Sequence, residues 1–306
     1  MSVSTQYRGV VVPMVSPFTP DGAIDEPAVA RIVDHLVVGG VSGVFPLGTT
    51  GESVSIPTGE KRRLVAAVVR AVNARSMVYA GISGNCLREC IDATVAYRDL
   101  GVDAVVAHPP FYYPLRDDEI EAWFLRLADA LPLPLVLYNI PSTTRQEIAL
   151  DVVDRLRRHE RIVAIKDSSS DPRRIEQLLR RTGGRAGFPV LLGASPLYPL
   201  GLRCGAVGLV PSGAHLVPEL YHAMYLAAMS DDYGRVDALH QKTSAACQAY
   251  LHARTLPEGL AKLKAILETR GLCRRTMLPP IADCHDCHDG STEPTDRLPR
   301  QSDRND

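Results

Sequence analysis

Eight short, almost wholly apolar runs recur along the first 210 residues, and segments of helical period separate them. The runs cover 10–18, 41–47, 77–82, 104–108, 133–138, 162–166, 190–193 and 206–210. After the first run, Val29, Ile32, Val33, Leu36 and Val37 fall at i, i+3, i+4, i+7 and i+8, the stripe of a helix that buries one face. Leu87, Cys90, Ile91, Thr94 and Val95 repeat that spacing. Helices are expected at 27–38, 60–73, 118–130, 150–159 and 196–204 as well as around 87–95. Strands that are apolar on both sides belong to a parallel sheet covered by helices. Eight strand–helix units predict an α/β protein with a closed (β/α)8 TIM barrel. An open doubly wound sheet is the alternative, but it wants a glycine-rich phosphate turn after the first strand. The turn at 16–22, Ser-Pro-Phe-Thr-Pro-Asp-Gly, has a single glycine and two prolines.

Helical patterns at 219–230, 233–252 and 258–270 follow the barrel. They divide the chain into a barrel at 1–215, a C-terminal helical extension at 216–282 and a disordered polar tail at 283–306. Lys plus Arg number 34 and Asp plus Glu 35, so no basic excess points to nucleic acid or to an anionic membrane. No apolar run approaches the roughly 20 residues that span a bilayer. Residues 1–12 lack a signal-peptide pattern, and seven irregularly spaced cysteines suit reduced thiols; a cytoplasmic protein is expected. Cys284-His285-Asp286-Cys287-His288 crowds four donors into five residues with no second Cys-x-x-Cys elsewhere. It reads as an incidental tail rather than a tetrahedral metal site.

In a barrel of this class the C-terminal ends of the strands form the active face. The sixth run ends in Lys166, followed by Asp167-Ser168-Ser169-Ser170-Asp171. One reading is a lysine that snorkels out to pair with Asp167. The other is an amine kept out of water so that it can attack a carbonyl. The second run ends in Gly48-Thr49-Thr50-Gly51-Glu52, where successive N–H groups and two hydroxyls can cradle a carboxylate. The fifth ends in Tyr138-Asn139-Ile140-Pro141, and Tyr138 is either a packing residue or a proton relay. Convergence of Lys166, Tyr138, Thr49 and Thr50 suits Schiff-base chemistry on a 2-oxo acid.

With these motifs in this order, residues 7–281 resemble the dihydrodipicolinate synthase / N-acetylneuraminate lyase family of class I pyruvate-type aldolases. The resemblance implies a (β/α)8 barrel with C-terminal helices, assembled as a homotetramer that is a dimer of dimers. It implies that Lys166 forms the Schiff base with pyruvate, that Tyr138 shuttles protons, and that Thr49 orients Tyr138. It implies that Thr50 and the backbone beside Gly48 hold the carboxylate, and that Val210 lines the pocket. A tyrosine from the adjacent subunit would complete the relay, and Tyr112 is the best match, with Tyr113 beside it. No cofactor or metal is implied, since the protonated imine is itself the electron sink.

Two departures bear on the substrate and a third on regulation. Where synthases of this family carry a carboxylate-binding arginine, Ser142-Thr143-Thr144-Arg145 places Thr143, and Arg145 lies two residues on. A hydroxyl does not replace a bidentate guanidinium. The segment 193–195, Gly-Ala-Ser, lacks the acidic residues of sialic-acid lyases. Asn85 and Glu89 fit the family's regulatory lysine site, but the histidines expected near Thr58 and Lys61 are absent, so lysine feedback is not expected. The expected function is a Schiff-base lyase or aldolase joining a 2-oxo acid to an aldehyde, in the manner of a 4-hydroxy-2-oxo acid aldolase. The alternatives are a dihydrodipicolinate synthase with a displaced arginine, a deoxy sugar acid dehydratase, and a non-catalytic barrel that binds 2-oxo acids.

Overall fold

The structure is a computed structural model that describes residues 6–284. Eight strands close into one parallel barrel in sequence order. They are β1 (Gly9–Pro13), β2 (Gly43–Phe45), β3 (Met77–Gly81), β4 (Ala104–Ala107), β5 (Leu135–Asn139), β6 (Ile162–Asp167), β7 (Val190–Leu192) and β8 (Gly208–Leu209). Closure comes from β1 against β8, with Gly9 opposite Gly208 and Val10 opposite Leu209. The helices around the barrel are α1 (Glu26–Val38), α2 (Thr58–Val72), α3 (Leu87–Leu100), α4 (Asp117–Ala130), α5 (Pro141–Thr144), α6 (Leu150–Leu156), α7 (Pro172–Thr182) and α8 (Tyr198–Arg203). Beyond β8 lie α9 (Pro218–Met229), α10 (Tyr233–Leu251) and α11 (Leu256–Thr269).

Alternation along each strand sorts the side chains into two cores. Leu135, Leu137, Ile165, Val190 and Leu192 point outward and pack under the helices. Val136, Tyr138, Ala164, Leu191 and Val210 belong to the barrel interior. The same alternation sends Lys166 inward and Asp167 outward. Helix starts follow side-chain caps: Asp25 accepts from Ala28 N–H at α1 and Asp171 from Arg173 N–H at α7, each with proline in the first turn.

Each expected strand is present, usually shorter than its apolar run. The first run stops pairing at Pro13 because residues beyond it form the loop into α1. The eighth is reduced to Gly208 and Leu209. Helix α7, between β6 and β7, was not expected from the sequence. Its buried apolar stripe is Ile175, Leu178 and Leu179, and arginines occupy half of the other positions. The thiols of Cys86, Cys90, Cys204, Cys247 and Cys273 are free, whereas Cys284 is disulfide-bonded, which corrects the expectation of reduced thiols throughout. Apart from Asp283 and Cys284, the polar tail and its Cys/His cluster lie outside the described residues.

Candidate active site

The C-terminal rim of the barrel opens into a cavity of about 260 Å³. Lys166 and Tyr138 stand opposite each other across β6 and β5 and both line it. Lys166 Nζ lies 3.8 Å from the centroid of the Tyr138 ring and 5.2 Å from that of Phe45. The side chain is 5% exposed, and no ion pair or hydrogen bond engages its amine among the described residues. Snorkelling to Asp167 does not occur. Asp167 is fully buried on the outer side of the strand, where its carboxylate accepts from Arg174 Nε (3.0 Å), Asn139 Nδ2 (3.0 Å) and Ser169 N–H (2.9 Å). Arg174 goes on to Glu147 and to the Ile148 carbonyl. The acidic residue after the lysine thus anchors the β6 end to α7 and leaves the amine unpaired in the cavity.

The β2 end forms a single 3-10 turn at Thr49–Gly51. Thr49 Oγ1 and Tyr138 Oη are 3.3 Å apart, and Thr49 and Thr50 both face the cavity. Gly51 packs so closely under β1 that a Cβ there would stand 2.8 Å from the Met14 carbonyl oxygen. Gly48 precedes the turn, buried against the Phe45 ring, and its carbonyl accepts from Gly51 N–H. Glu52, the last residue of the motif, adopts a left-handed conformation with φ 55° and closes the turn. Its buried carboxylate accepts from Lys264 Nζ (2.6 Å) and from Leu278 N–H (2.9 Å). Lys264 also donates to the Thr276 carbonyl and lies 4.2 Å from the Phe18 ring centroid. Burial pulls the Lys264 ammonium below its ordinary value, and the Glu52 carboxylate opposes that shift. The pair ties the threonine turn to the C-terminal extension.

Val210 lines the cavity, its N–H donating to the Leu192 carbonyl. Gly193, at the end of β7, leaves room for its neighbours: a Cβ there would stand 1.9 Å from Ser168 Oγ and 3.1 Å from Lys166 Cε. Thr143 is exposed in α5 and its hydroxyl donates to the Ile140 carbonyl (3.3 Å). It lines a second cavity of about 260 Å³ that meets the first at Thr49 and also holds His108. Arg145 is exposed with φ 56°, a left-handed position that caps α5. His108 Nδ1 lies 2.7 Å from the Pro109 carbonyl. Burial holds its imidazole below the ordinary value, Pro109 opposes and Lys166 adds to the shift. Tyr112 is 76% exposed, stacks edge-on against Tyr113, and lies outside its own chain's cavity.

Several wall residues were not singled out by the sequence. Ser212 and Tyr250 share a hydrogen bond of 2.9 Å, and Leu251 and Leu256 bring the C-terminal extension to the cavity. Tyr198, at the start of α8, is buried in the wall with no hydrogen-bond partner for its hydroxyl. Among the described residues no cluster of three or more His, Cys, Asp or Glu side chains is placed to hold a metal.

A family model for the dihydrodipicolinate synthetase family matches residues 6–293. The chain belongs to that family. It is 38% identical over 270 residues to 4-hydroxy-tetrahydrodipicolinate synthase 1 of Streptomyces coelicolor, covering 88% of this chain and 86% of the relative. Dihydrodipicolinate synthase from Bacteroides thetaiotaomicron superposes with a TM-score of 0.86 at 29% identity, over 93% of this chain and 95% of that one. A prophage protein of the family from E. coli, solved in complex with pyruvate, superposes with a TM-score of 0.84 at 25% identity, over 90% and 93% of the two chains. No described helix is long and apolar enough to cross a membrane.

Proposed function

We propose that the chain is a lysine Schiff-base lyase that joins pyruvate, or another 2-oxo acid, to an aldehyde, or splits the corresponding 4-hydroxy-2-oxo acid. The observation that carries this is the unpaired, buried amine of Lys166 lying 3.8 Å from the Tyr138 ring centroid, with Thr49 on the Tyr138 hydroxyl. Lys166 Nζ attacks C2 of the 2-oxo acid and water leaves, giving a protonated imine. In the cleavage direction Tyr138 accepts the proton of the C4 hydroxyl. The C3–C4 electrons move into the imine, and the aldehyde departs from an enamine. Protonation at C3 and hydrolysis release pyruvate and free the amine. Synthesis runs the same steps backward. Thr50 and the turn amides beside Gly48 hold the carboxylate, Val210 closes the pocket wall, and Thr143 faces the aldehyde side from the neighbouring cavity. In this reading the enzyme is a cytoplasmic homotetramer.

Synthase activity on aspartate semialdehyde is the second reading. The names of the relatives favour it, and Arg145 lies two residues from Thr143. The leading reading is tested by incubating the protein with pyruvate and borohydride and mapping the added mass. The adduct is expected on Lys166 and is absent from Lys166→Ala. An adduct on another lysine, or none at saturating pyruvate, rules the mechanism out.

A further inference from the structure

Imine cleavage is balanced in protons from start to finish but not at every moment. The O–H bond at C4 breaks before the new C–H bond at C3 forms, so one proton must be held while the enamine exists. Tyr138 alone does not hold it, because a phenol that takes a proton from the substrate must pass its own on. Its hydrogen bond leads to Thr49, 3.3 Å away, and Thr49 lines both cavities of the rim. His108 lines the second of them. It follows β4, in which Ala104 and Val106 point into the barrel while Val105 and Ala107 point outward. The alternation therefore turns the His108 side chain inward, beside Tyr138.

The His108 backbone is fixed by its N–H on Ser83 Oγ (3.0 Å), and the imidazole lies near the rings of Tyr138 and Phe111, with centroids at 6.2 Å and 5.9 Å. A carbonyl oxygen only accepts, so Nδ1, 2.7 Å from that of Pro109, carries the ring proton. Nε2 is then the basic nitrogen. It keeps accessible surface and makes no hydrogen bond among the described residues. We propose that His108 is the proton store of the reaction: Nε2 holds, as imidazolium, the proton that leaves the substrate by way of Tyr138, Thr49 and water in the second cavity, and returns it when the enamine is protonated at C3. In cleavage the C4 O–H and C3–C4 bonds break, the aldehyde carbonyl and the enamine form, and His108 gains one proton. The C3–H bond then forms and His108 is neutral again. The titratable groups around it are Lys166 on β6, Tyr138 on β5, and Glu52, which lines the same cavity and is tied to Lys264. Burial, with Lys166 adding and Pro109 opposing, holds the imidazole below its ordinary value, so the store is empty at neutral pH.

This inference rests on the imine reading, and the experiment separates the two. Pyruvate alone is enough, since the imine becomes an enamine by losing a C3 proton to the same store. The full chain is incubated with saturating pyruvate in deuterated water, and deuteration of the methyl group is followed by proton NMR across about pH 5 to 7, the range in which an imidazole fills. The borohydride adduct is measured at each pH, so that loss of imine is not mistaken for loss of proton transfer. Wild-type exchange per adduct is expected to fall as the pH drops and the imidazole is occupied, with its midpoint below the ordinary imidazole value of about 6.5. His108→Gln keeps a hydrogen-bonding side chain that does not titrate. It should slow exchange by about 10- to 100-fold, abolish the fall on the acid side and leave the adduct unchanged, a smaller loss than for a group that meets the substrate itself. His108→Ala should regain exchange when free imidazole is added, in proportion to its unprotonated fraction. Exchange within about 2-fold of wild type in His108→Gln, or an acid-side fall that survives in it, overturns the inference. So does a His108→Ala chain that forms the adduct but gains nothing from imidazole. Absence of the adduct from the wild-type chain would instead sink the imine mechanism.

Discussion

Tyr138 shares a hydrogen bond with Thr49 and its ring covers the Lys166 amine, so in the proposed mechanism a single side chain both positions the nucleophile and moves a proton. Removing the hydroxyl separates these roles. Tyr138→Phe keeps the ring and should still yield the borohydride adduct, while turnover falls by about 10²–10⁴, the usual loss for a positioned acid–base group. A near-wild-type rate would show that Tyr138 serves only as packing. The aldehyde side gives a second residue-scale prediction. Thr143 spends its hydroxyl on the Ile140 carbonyl and His108 is held toward its neutral form, so neither supplies a cation. Arg145 is committed to a left-handed cap and makes no ion pair among the described residues. Condensation with aspartate semialdehyde should therefore run about 30- to 1000-fold below that with a neutral aldehyde, the cost of a missing charge-assisted pair. Steady-state rates decide it: efficient turnover that collapses in Arg145→Ala would make the protein a synthase with a displaced arginine. Lys166 and Tyr138 were legible as candidates because each ends an apolar run. The orphan hydroxyl of Tyr198 was not, since no sequence pattern tells whether a hydroxyl finds a partner.

Elements hold these residues through buried polar joints that sequence reading misses for a specific reason. Lys166 and Asp167 face opposite sides of β6, and the partner of Asp167 is Arg174 in α7, a helix whose arginine-rich pattern hid it. The apolar face of α7 is narrow because Arg174 itself occupies a buried position, 5% exposed, that a sequence scan counts as polar. The joint between Glu52 and Lys264 spans 212 residues, a separation at which no local pattern operates. Both side chains are essentially buried, at 3% and 1% exposed, so neither tolerates loss of the other. Lys264→Met should destabilise the fold by about 3–5 kcal/mol, because it strands a buried carboxylate. Glu52→Gln combined with Lys264→Met should recover much of that loss. Denaturant midpoints measure both. A cost below about 1 kcal/mol for the single variant would mean that the threonine turn is held by other contacts.

At the scale of the whole molecule, eight apolar runs were enough to specify a closed barrel, because a parallel sheet buried on both faces has few other ways to remove its edges. Its association with other copies is a separate matter, and the surface around the C-terminal rim bears on it. Phe111, Tyr112 and Tyr113 are 41%, 76% and 71% exposed, a cluster of large rings that a lone soluble domain seldom displays. The loop that carries them is nonetheless anchored. Asn85 accepts from Phe111 N–H at 2.9 Å, and Gln146 joins the Pro110 carbonyl to Leu115 N–H. An exposed aromatic pair on a held loop is suited to docking against a second copy, and the second cavity, which includes Thr49, lies on the same rim. The protein should therefore sediment as a dimer or larger, with Tyr112 of one subunit approaching Tyr138 of its neighbour. Tyr112→Ala should weaken association and lower turnover, and Tyr112→Phe should lower turnover while leaving the assembly intact. Mixing Tyr112→Phe with Lys166→Ala supplies the decisive arm. If the phenol acts across the interface, mixed dimers regain one complete site and activity rises above either parent. Activity that stays at the sum of the parents, or a wild-type chain that sediments as a monomer, would remove Tyr112 from the relay.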